Sequence, residues 1–246
     1  MLQAQATCLA GELSLNHPPE NLTIATTGAS GSIFLRQLLL AVERDARIQH
    51  VNFIASDSGL RVLAEELGIQ GRSNLLPQIL GADTGLSENS KEKNSKKKDS
   101  SKKISSPPPN ISSKIISSKI KEQSNADIGA NVASGSYLAD AMIVLPCSMG
   151  TLARIANGIA SHLIERAADV CLKEKRPLIL CVRETPLNKI HIRNLYRAAD
   201  AGATVFPLIP AYYYQPASLD DMACEFAYRV LAHLGLAQPG ALHWKG

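Results

Sequence analysis

Twice in this chain of 246 residues a short apolar run breaks into glycine and serine and then resumes with helical spacing. The first instance is Leu22 to Ser32, LTIATTGASGS, leading into an apolar segment over Phe34 to Leu40; the second is Ala141 to Thr151, AMIVLPCSMGT, leading into Leu152 and Ile155. Each reads as strand, tight loop and helix N-terminus. A chain that repeats this unit is restricted to parallel strands joined by crossover helices. In the first loop Gly28 and Gly31 let the backbone turn tightly and come close to a ligand, while Ser30 and Ser32 set hydroxyls beside the unpaired N–H groups of a helix start. Such a loop is built to hold an anion; the plain alternative is a strand-to-helix turn with a serine cap. It does not fit GxGxxG, the Lys-Ser/Thr-ended phosphate loop or the GxSxG elbow.

Between and after these units the pattern continues. His50 to Ser56 reads as a second strand, ending in Ser56-Asp57-Ser58-Gly59, and Leu60 to Leu67 as a helix that stops at Gly68. Leu163 to Lys173 reads as a helix, and Pro177 to Val182 as a strand running into Arg183-Glu184-Thr185-Pro186. The next helix carries Ile192, Leu195, Tyr196 and Ala199 on one face; Thr204 to Ile209 forms a last strand before PAYYYQP, and a closing helix turns Met222, Phe226 and Val230 inward. The expected fold is α/β: a Rossmann-like doubly wound parallel sheet, three-layer α/β/α, in a single domain. Every informative polar cluster follows a strand, and in such a sheet those loops share the ligand-binding edge.

Residues 1–20 read as an irregular lead-in, and the folded domain is expected over 21–246, interrupted by a disordered Lys/Ser-rich insertion at about 82–125 that includes Pro107 to Pro109. That stretch has too little apolar surface to offset the entropy of ordering it. Between Lys91 and Lys121 ten lysines face two acids, a net +8, so the rest of a chain with overall charge +4 carries −4. The basic balance is therefore local, and lysine without arginine or interleaved aromatics is a weak nucleic-acid signature. No nucleic-acid or membrane partner is expected. No run approaches the ~18 apolar residues of a membrane helix. Five scattered cysteines, never paired as CxxC, argue for a reducing compartment, a cytoplasmic location and no metal framework.

Ser30, Ser56 and Ser148 to Thr151 could together satisfy a phosphate and a polyhydroxyl chain, as FMN presents; no acid lies about twenty positions after the first loop, where a dinucleotide's ribose would want one. Helix capping by the same serines is the alternative. Cys147, before a helix N-terminus, could be a stabilised thiolate or a small apolar residue at a strand end. Arg183 and Glu184, adjacent at a strand end, point to opposite faces, so one could reach an anion while the other handles protons.

At SMGTLARIANGIA, IERAADVCLKEKRPLILCVRETPLN, IHIRN and YYYQP, together with GASGS, the chain resembles the UbiX-type flavin prenyltransferases. The resemblance runs from Leu22 to about Ser58 and from about Ser134 to the C-terminus. It implies an enzyme that joins a dimethylallyl group, from dimethylallyl phosphate or the diphosphate, to N5 and C6 of reduced FMN without a metal. The prenylated FMN would pass to a UbiD-type decarboxylase. The resemblance further implies a homo-oligomer, a dodecamer, with sites shared between subunits. Position by position it assigns Gly28, Ala29, Ser30, Ser56, Ser148, Met149, Gly150, Thr151 and Arg183 to the flavin. It assigns Tyr213, Arg229 and Lys173 to the prenyl phosphate and Glu184 to proton handling; Trp244 is the expected wall for the prenyl group. Two positions depart from the family pattern, His162 where Asn is usual and Tyr214-Gln215 where His-Arg or His-Gln is usual. Two other readings are an FMN-dependent decarboxylase of the same fold group, whose PxMNxxMW-like motif is missing here, and a non-enzymatic flavin-binding module with a basic tether.

Overall fold

The computed structural model describes residues 17–81 and 118–242. Most of the expected lead-in, the bulk of the Lys/Ser-rich insertion and Trp244 lie outside the described residues.

Six parallel strands form one sheet: β1 (Asn21–Thr26), β2 (His50–Ala55), β3 (Ile120–Ser124), β4 (Ala141–Cys147), β5 (Leu178–Val182) and β6 (Thr204–Val205), in the order β3-β2-β1-β4-β5-β6. The order reverses between β1 and β4, the point where a doubly wound sheet opens a crevice for ligands beyond its strand ends. Those two strands are nearly or wholly buried along their lengths, which suits the continuous apolar run of β4, because a parallel sheet covered on both faces has no wet side; β1 buries Thr23 and Thr26 among its apolar residues.

The helices are α1 (Ser32–Arg44), α2 (Asp57–Leu67), α3 (Leu75–Ile79), α4 (Met149–Ala156), α5 (Leu163–Lys173), α6 (Lys189–Asp200) and α7 (Leu219–His233). One core layer packs Leu35, Leu38, Leu39 and Val42 of α1 and Phe226, Val230 and Leu231 of α7 on Leu22, Ile24, Val51 and Phe53 of the sheet. The opposite layer sets Leu152, Ile155, Leu163, Ile164 and Ala168 against Val144, Leu178 and Leu180. The three-layer α/β/α fold expected from the sequence is the one present.

Three expectations need correction. The insertion does not extend to 125: residues 120–124 are strand β3, in register with β2 from Val51↔Ile120 to Ala55↔Ser124. β3 is an edge strand, where charged side chains are tolerated and an apolar pattern is not needed. The last strand is two residues long rather than six, although Phe206 N–H and Leu208 N–H still donate to the Leu180 and Val182 carbonyls beyond it (2.9 and 2.8 Å). On α6 the buried positions are Asn194 and Ala198, while Ile192 and Tyr196 are 55% and 70% exposed. With Leu187 and Ile190, also exposed, they leave an apolar face on the protomer's surface.

Candidate functional site

The β1–α1 and β4–α4 loops are tied together below the surface. Thr27, buried, donates from Oγ1 to the Pro146 carbonyl (3.0 Å) and accepts the Ser148 N–H on the same oxygen (2.8 Å), while its own N–H also reaches Pro146 O (3.1 Å). The β2–α2 loop closes on the first from the other side. Ser56 N–H donates to Thr26 O (3.0 Å), and Ser56 Oγ caps α2 by accepting from Gly59 N–H (3.0 Å). A Cβ on Gly28 would stand 2.6 Å from the Ser58 side chain, and one on Gly59 would stand 2.9 Å from the Thr26 carbonyl. These two glycines are therefore required by close backbone approach rather than by turn geometry. Ser148 Oγ caps α4, accepting from Thr151 N–H at 3.3 Å.

Sequence reading missed the residue that occupies the first cradle. From Ser58 beside Gly28 to Glu66 beside Gly31, α2 lies over the β1–α1 loop, and Glu66 accepts from Gly31 N–H (3.0 Å) and Ser32 N–H (2.7 Å). Partial burial pushes this carboxyl up, but hydrogen bonds from Ser30 and from the Ser32 and Gly31 N–H groups outweigh it and hold its pKa below the usual value. The anion on the N-terminus of α1 is thus the protein's own carboxylate. The loop does hold an anion, and within this protomer that anion is Glu66. No local motif marks Glu66; its role follows from where α2 crosses the loop.

Of the positions assigned to the flavin, Gly28, Ala29, Ser30, Ser56, Ser148, Met149, Gly150, Thr151 and Arg183 all lie at this one edge, just beyond the ends of β1, β2, β4 and β5. The Met149 side chain is buried in the core, so only its backbone stands at this edge. Arg183 and Glu184 are both exposed, and Glu184 Oε1 accepts from Thr185 N–H at 3.0 Å. Cys147 is fully buried, and burial pushes its thiol up to about 12. That excludes the stabilised thiolate and leaves the strand-end reading.

Tyr213, Arg229 and Lys173 are not brought to that edge within one protomer. Tyr213 and Arg229 line a separate pocket of about 290 Å³ between α7 and the segment after β6, with Tyr214, Phe226 and Leu242. Arg229 also sits over the Phe206 ring at 5.8 Å, and the Tyr213 and Tyr214 rings lie 4.2 Å apart. Lys173 ends α5, which runs from Asn125, beside the ends of the strands, back to the start of β5. Its ammonium pairs with Glu174 above Gly135, at the opposite edge of the sheet. Among the described residues there is no group of three or more His, Cys, Asp or Glu able to hold a metal ion, and no helix long and apolar enough to cross a membrane.

A parallel sheet that switches at β1/β4, with serine-bearing loops locked together over the switch, defines a mononucleotide-binding α/β protein. The flavoprotein family model matches residues 11–227. The flavin prenyltransferase UbiX of Pseudomonas aeruginosa is 33% identical over 232 residues, covering 92% of this chain and 94% of that protein. The chain belongs to the flavoprotein family and, within it, to the UbiX-type flavin prenyltransferases. The Synechocystis and Escherichia coli K12 flavin prenyltransferases UbiX are 48% and 46% identical over 120 and 122 residues; those matches span 58% and 65% of the relatives' own lengths. Among solved structures, AnUbiX (PadA1) in complex with FMN and dimethylallyl pyrophosphate superposes with a TM-score of 0.72 at 30% identity, covering 93% of this chain and 98% of that one. A dodecameric FMN-dependent UbiX-like decarboxylase from Escherichia coli O157:H7 superposes at 0.71, also at 30% identity, covering 92% and 99%.

Proposed function

We propose that this chain is a flavin prenyltransferase, joining a dimethylallyl group supplied as its phosphate to N5 and C6 of reduced FMN. The observation that carries the reading is the set of three strand-end loops locked against one another at the β1/β4 switch point. Gly28 lets the first loop pack against the Ser58 side chain and Gly59 lets the second pack against the Thr26 carbonyl, Ser30, Ser58 and Gly150 stay exposed, and the N-termini of α2 and α4 remain open to a phosphate. Hydroxyls and helix N–H groups in this number suit a ribityl phosphate.

In this reading Gly28, Ala29, Ser30, Ser56, Ser148, Gly150 and Thr151 hold the flavin, with Met149 contributing backbone alone, and Arg183 contacts it from the end of β5. Glu184 handles the proton exchanged at the flavin ring. Tyr213 and Arg229 hold the prenyl phosphate and stabilise the charge that grows on it as it leaves; Trp244 walls the prenyl group. Lys173 joins this set from a neighbouring subunit, because its own protomer keeps it at the far edge of the sheet. A homo-oligomer, a dodecamer as in the E. coli O157:H7 relative, would bring such edges together and cover the apolar face of α6. The product would pass to a UbiD-type decarboxylase in the cytoplasm.

The test is an anaerobic incubation of the protein with reduced FMN and dimethylallyl phosphate, followed by flavin mass spectrometry. The expected product is a flavin heavier by one prenyl unit. Recovery of unmodified FMN alone would overturn the reading, and loss of carbon dioxide from an added acid would support the decarboxylase alternative instead.

A further inference from the structure

One ion pair beside the flavin loops is assigned no role by the resemblance. Glu165, in the first turn of α5, is only 3% exposed. Its Oε1 accepts from Arg154 Nε at 2.7 Å, and its Oε2 accepts from the His162 N–H at 3.2 Å. A buried carboxylate is tolerated only when its oxygens are satisfied in this way. Arg154 uses a second arm on the loop itself, donating from Nη2 to Thr151 Oγ1 at 3.3 Å. Thr151 Oγ1 also receives Ser148 Oγ at 3.2 Å, and Ser148 N–H is anchored on Thr27. Arg154 Nη1 lies 3.6 Å from where a Cβ on Gly150 would stand, so the guanidinium flanks the exposed Gly150 backbone. A continuous chain of hydrogen bonds therefore runs from Glu165 through Arg154 and Thr151 to Ser148. Its members come from α5, α4 and the β4–α4 loop.

We propose that Arg154, held by Glu165, is a positioning residue for the flavin loop: it fixes the hydroxyls of Thr151 and Ser148 in their binding geometry and so sets the affinity for FMN. The guanidinium is suited to this because its planar fork engages two partners at fixed angles, which a lysine ammonium cannot reproduce. The inference rests on the flavin reading of the site. The pair sits behind the loop, so its effect falls on flavin binding and not on the prenyl step.

The experiment compares Arg154→Gln, Arg154→Lys and Glu165→Gln with the parent by flavin fluorescence titration, steady-state kinetics and thermal melting of the flavin-free protein. Arg47→Gln serves as a control for loss of an ion pair remote from the site, since Arg47 pairs with Asp45 at the end of α1 (2.7 Å). The expected result for Arg154→Gln is an FMN Kd raised about tenfold, of the size that loss of one charge-assisted hydrogen bond produces, with kcat at saturating FMN within about twofold of the parent. Glu165→Gln should shift Kd in the same direction, Arg154→Lys should recover only part of the loss, and Arg47→Gln should leave Kd unchanged. An unaltered Kd in Arg154→Gln, full recovery by lysine, or a Kd that rises equally in Arg47→Gln in step with a falling melting temperature would overturn the proposal. A parent protein that binds no FMN would overturn the flavin reading itself.

Discussion

The loops at the β1/β4 switch point and the pocket between α7 and the segment after β6 are built by opposite means. At the switch point the loops are tied by short fixed contacts: Thr27 donates to the Pro146 carbonyl from both N–H and Oγ1, Ser148 N–H donates to Thr27 Oγ1, Ser56 N–H donates to the Thr26 carbonyl, and Gly28 and Gly59 let the loops approach where a Cβ would not fit. In the α7 pocket the chemistry hangs on long side chains, with Tyr213 half-exposed and Arg229 reaching across Phe206. The first region is braced by bonds within one chain and tolerates little change. The second is left open, and together with Lys173 on the far edge and the apolar face of α6 it has the character of a surface to be finished by another copy. Flavin binding should accordingly survive loss of assembly, whereas transfer of the prenyl group should not.

The largest effect is expected at the contact between the first two loops. Gly59→Ala places a Cβ 2.9 Å from a backbone carbonyl, which cannot swing aside as a side chain would. The loops must part, at a cost of roughly 1–3 kcal/mol as in other overpacked sites, and flavin fluorescence titration should detect no FMN binding. Retained binding would show that the bracing is dispensable. Next is Thr27→Val, which keeps the shape but removes the hydroxyl shared by Pro146 and Ser148. Stranding a buried N–H costs about 1–3 kcal/mol, readable as a lower urea midpoint with a weaker FMN Kd.

Two further experiments separate the regions. Tyr196→Glu on the exposed face of α6 should shift light-scattering mass toward smaller species and abolish prenyl transfer, while FMN affinity changes less than about threefold; an unchanged mass would remove α6 from the assembly. Glu184→Gln should bind FMN like the parent and turn over far more slowly, by the roughly 10²–10⁴-fold that a proton-transfer group contributes. Equal rates would take Glu184 out of the chemistry.

The smallest effect concerns pH. Glu66 has a folded pKa below its ordinary value near 4.5, so its contribution to stability is complete above that value and is lost as pH falls through the lower folded one. The protein should therefore lose stability in that acid window, and Glu66→Gln should flatten the loss while lowering stability at neutral pH by about 0.5 kcal/mol, the low end for a helix N-cap because the side chain is exposed and screened by solvent. Urea melts across the acid range would measure both.

What the sequence made legible follows from how local each signal is. The continuous run of β4 could only be a strand buried on both faces, and the helix expected over Leu163 to Lys173 has those ends, because its period and its Glu and Lys termini agree. The flavin loops were visible because glycine and serine directly after an apolar strand suit a tight turn into a helix start and little else. Strand β3 was hidden by composition: Lys119, Lys121 and Glu122 belong to an edge that needs no apolar pattern. Glu66 and Thr27 were unreadable because each acts on an element distant in the chain, and Arg154 because its partner Glu165 lies eleven residues on, in the next helix, outside any local motif. The exposure of Ile192 and Tyr196 was misread because apolar spacing marks a face to be covered without saying whether this chain or another covers it.

The outer position of β3 has a further consequence. Residues 82–117 enter the domain between α3 and the outermost strand, two strands away from the β1/β4 crevice. Length added between two fixed chain ends costs closure entropy that grows only logarithmically with residue number. That junction is thus a natural splice port, where a reporter or a purification module could replace the Lys/Ser-rich stretch while the flavin loops keep their register. The cut must fall before Lys119, which donates to the Asp45 and Ile48 carbonyls, and before Ile120, where pairing with β2 begins.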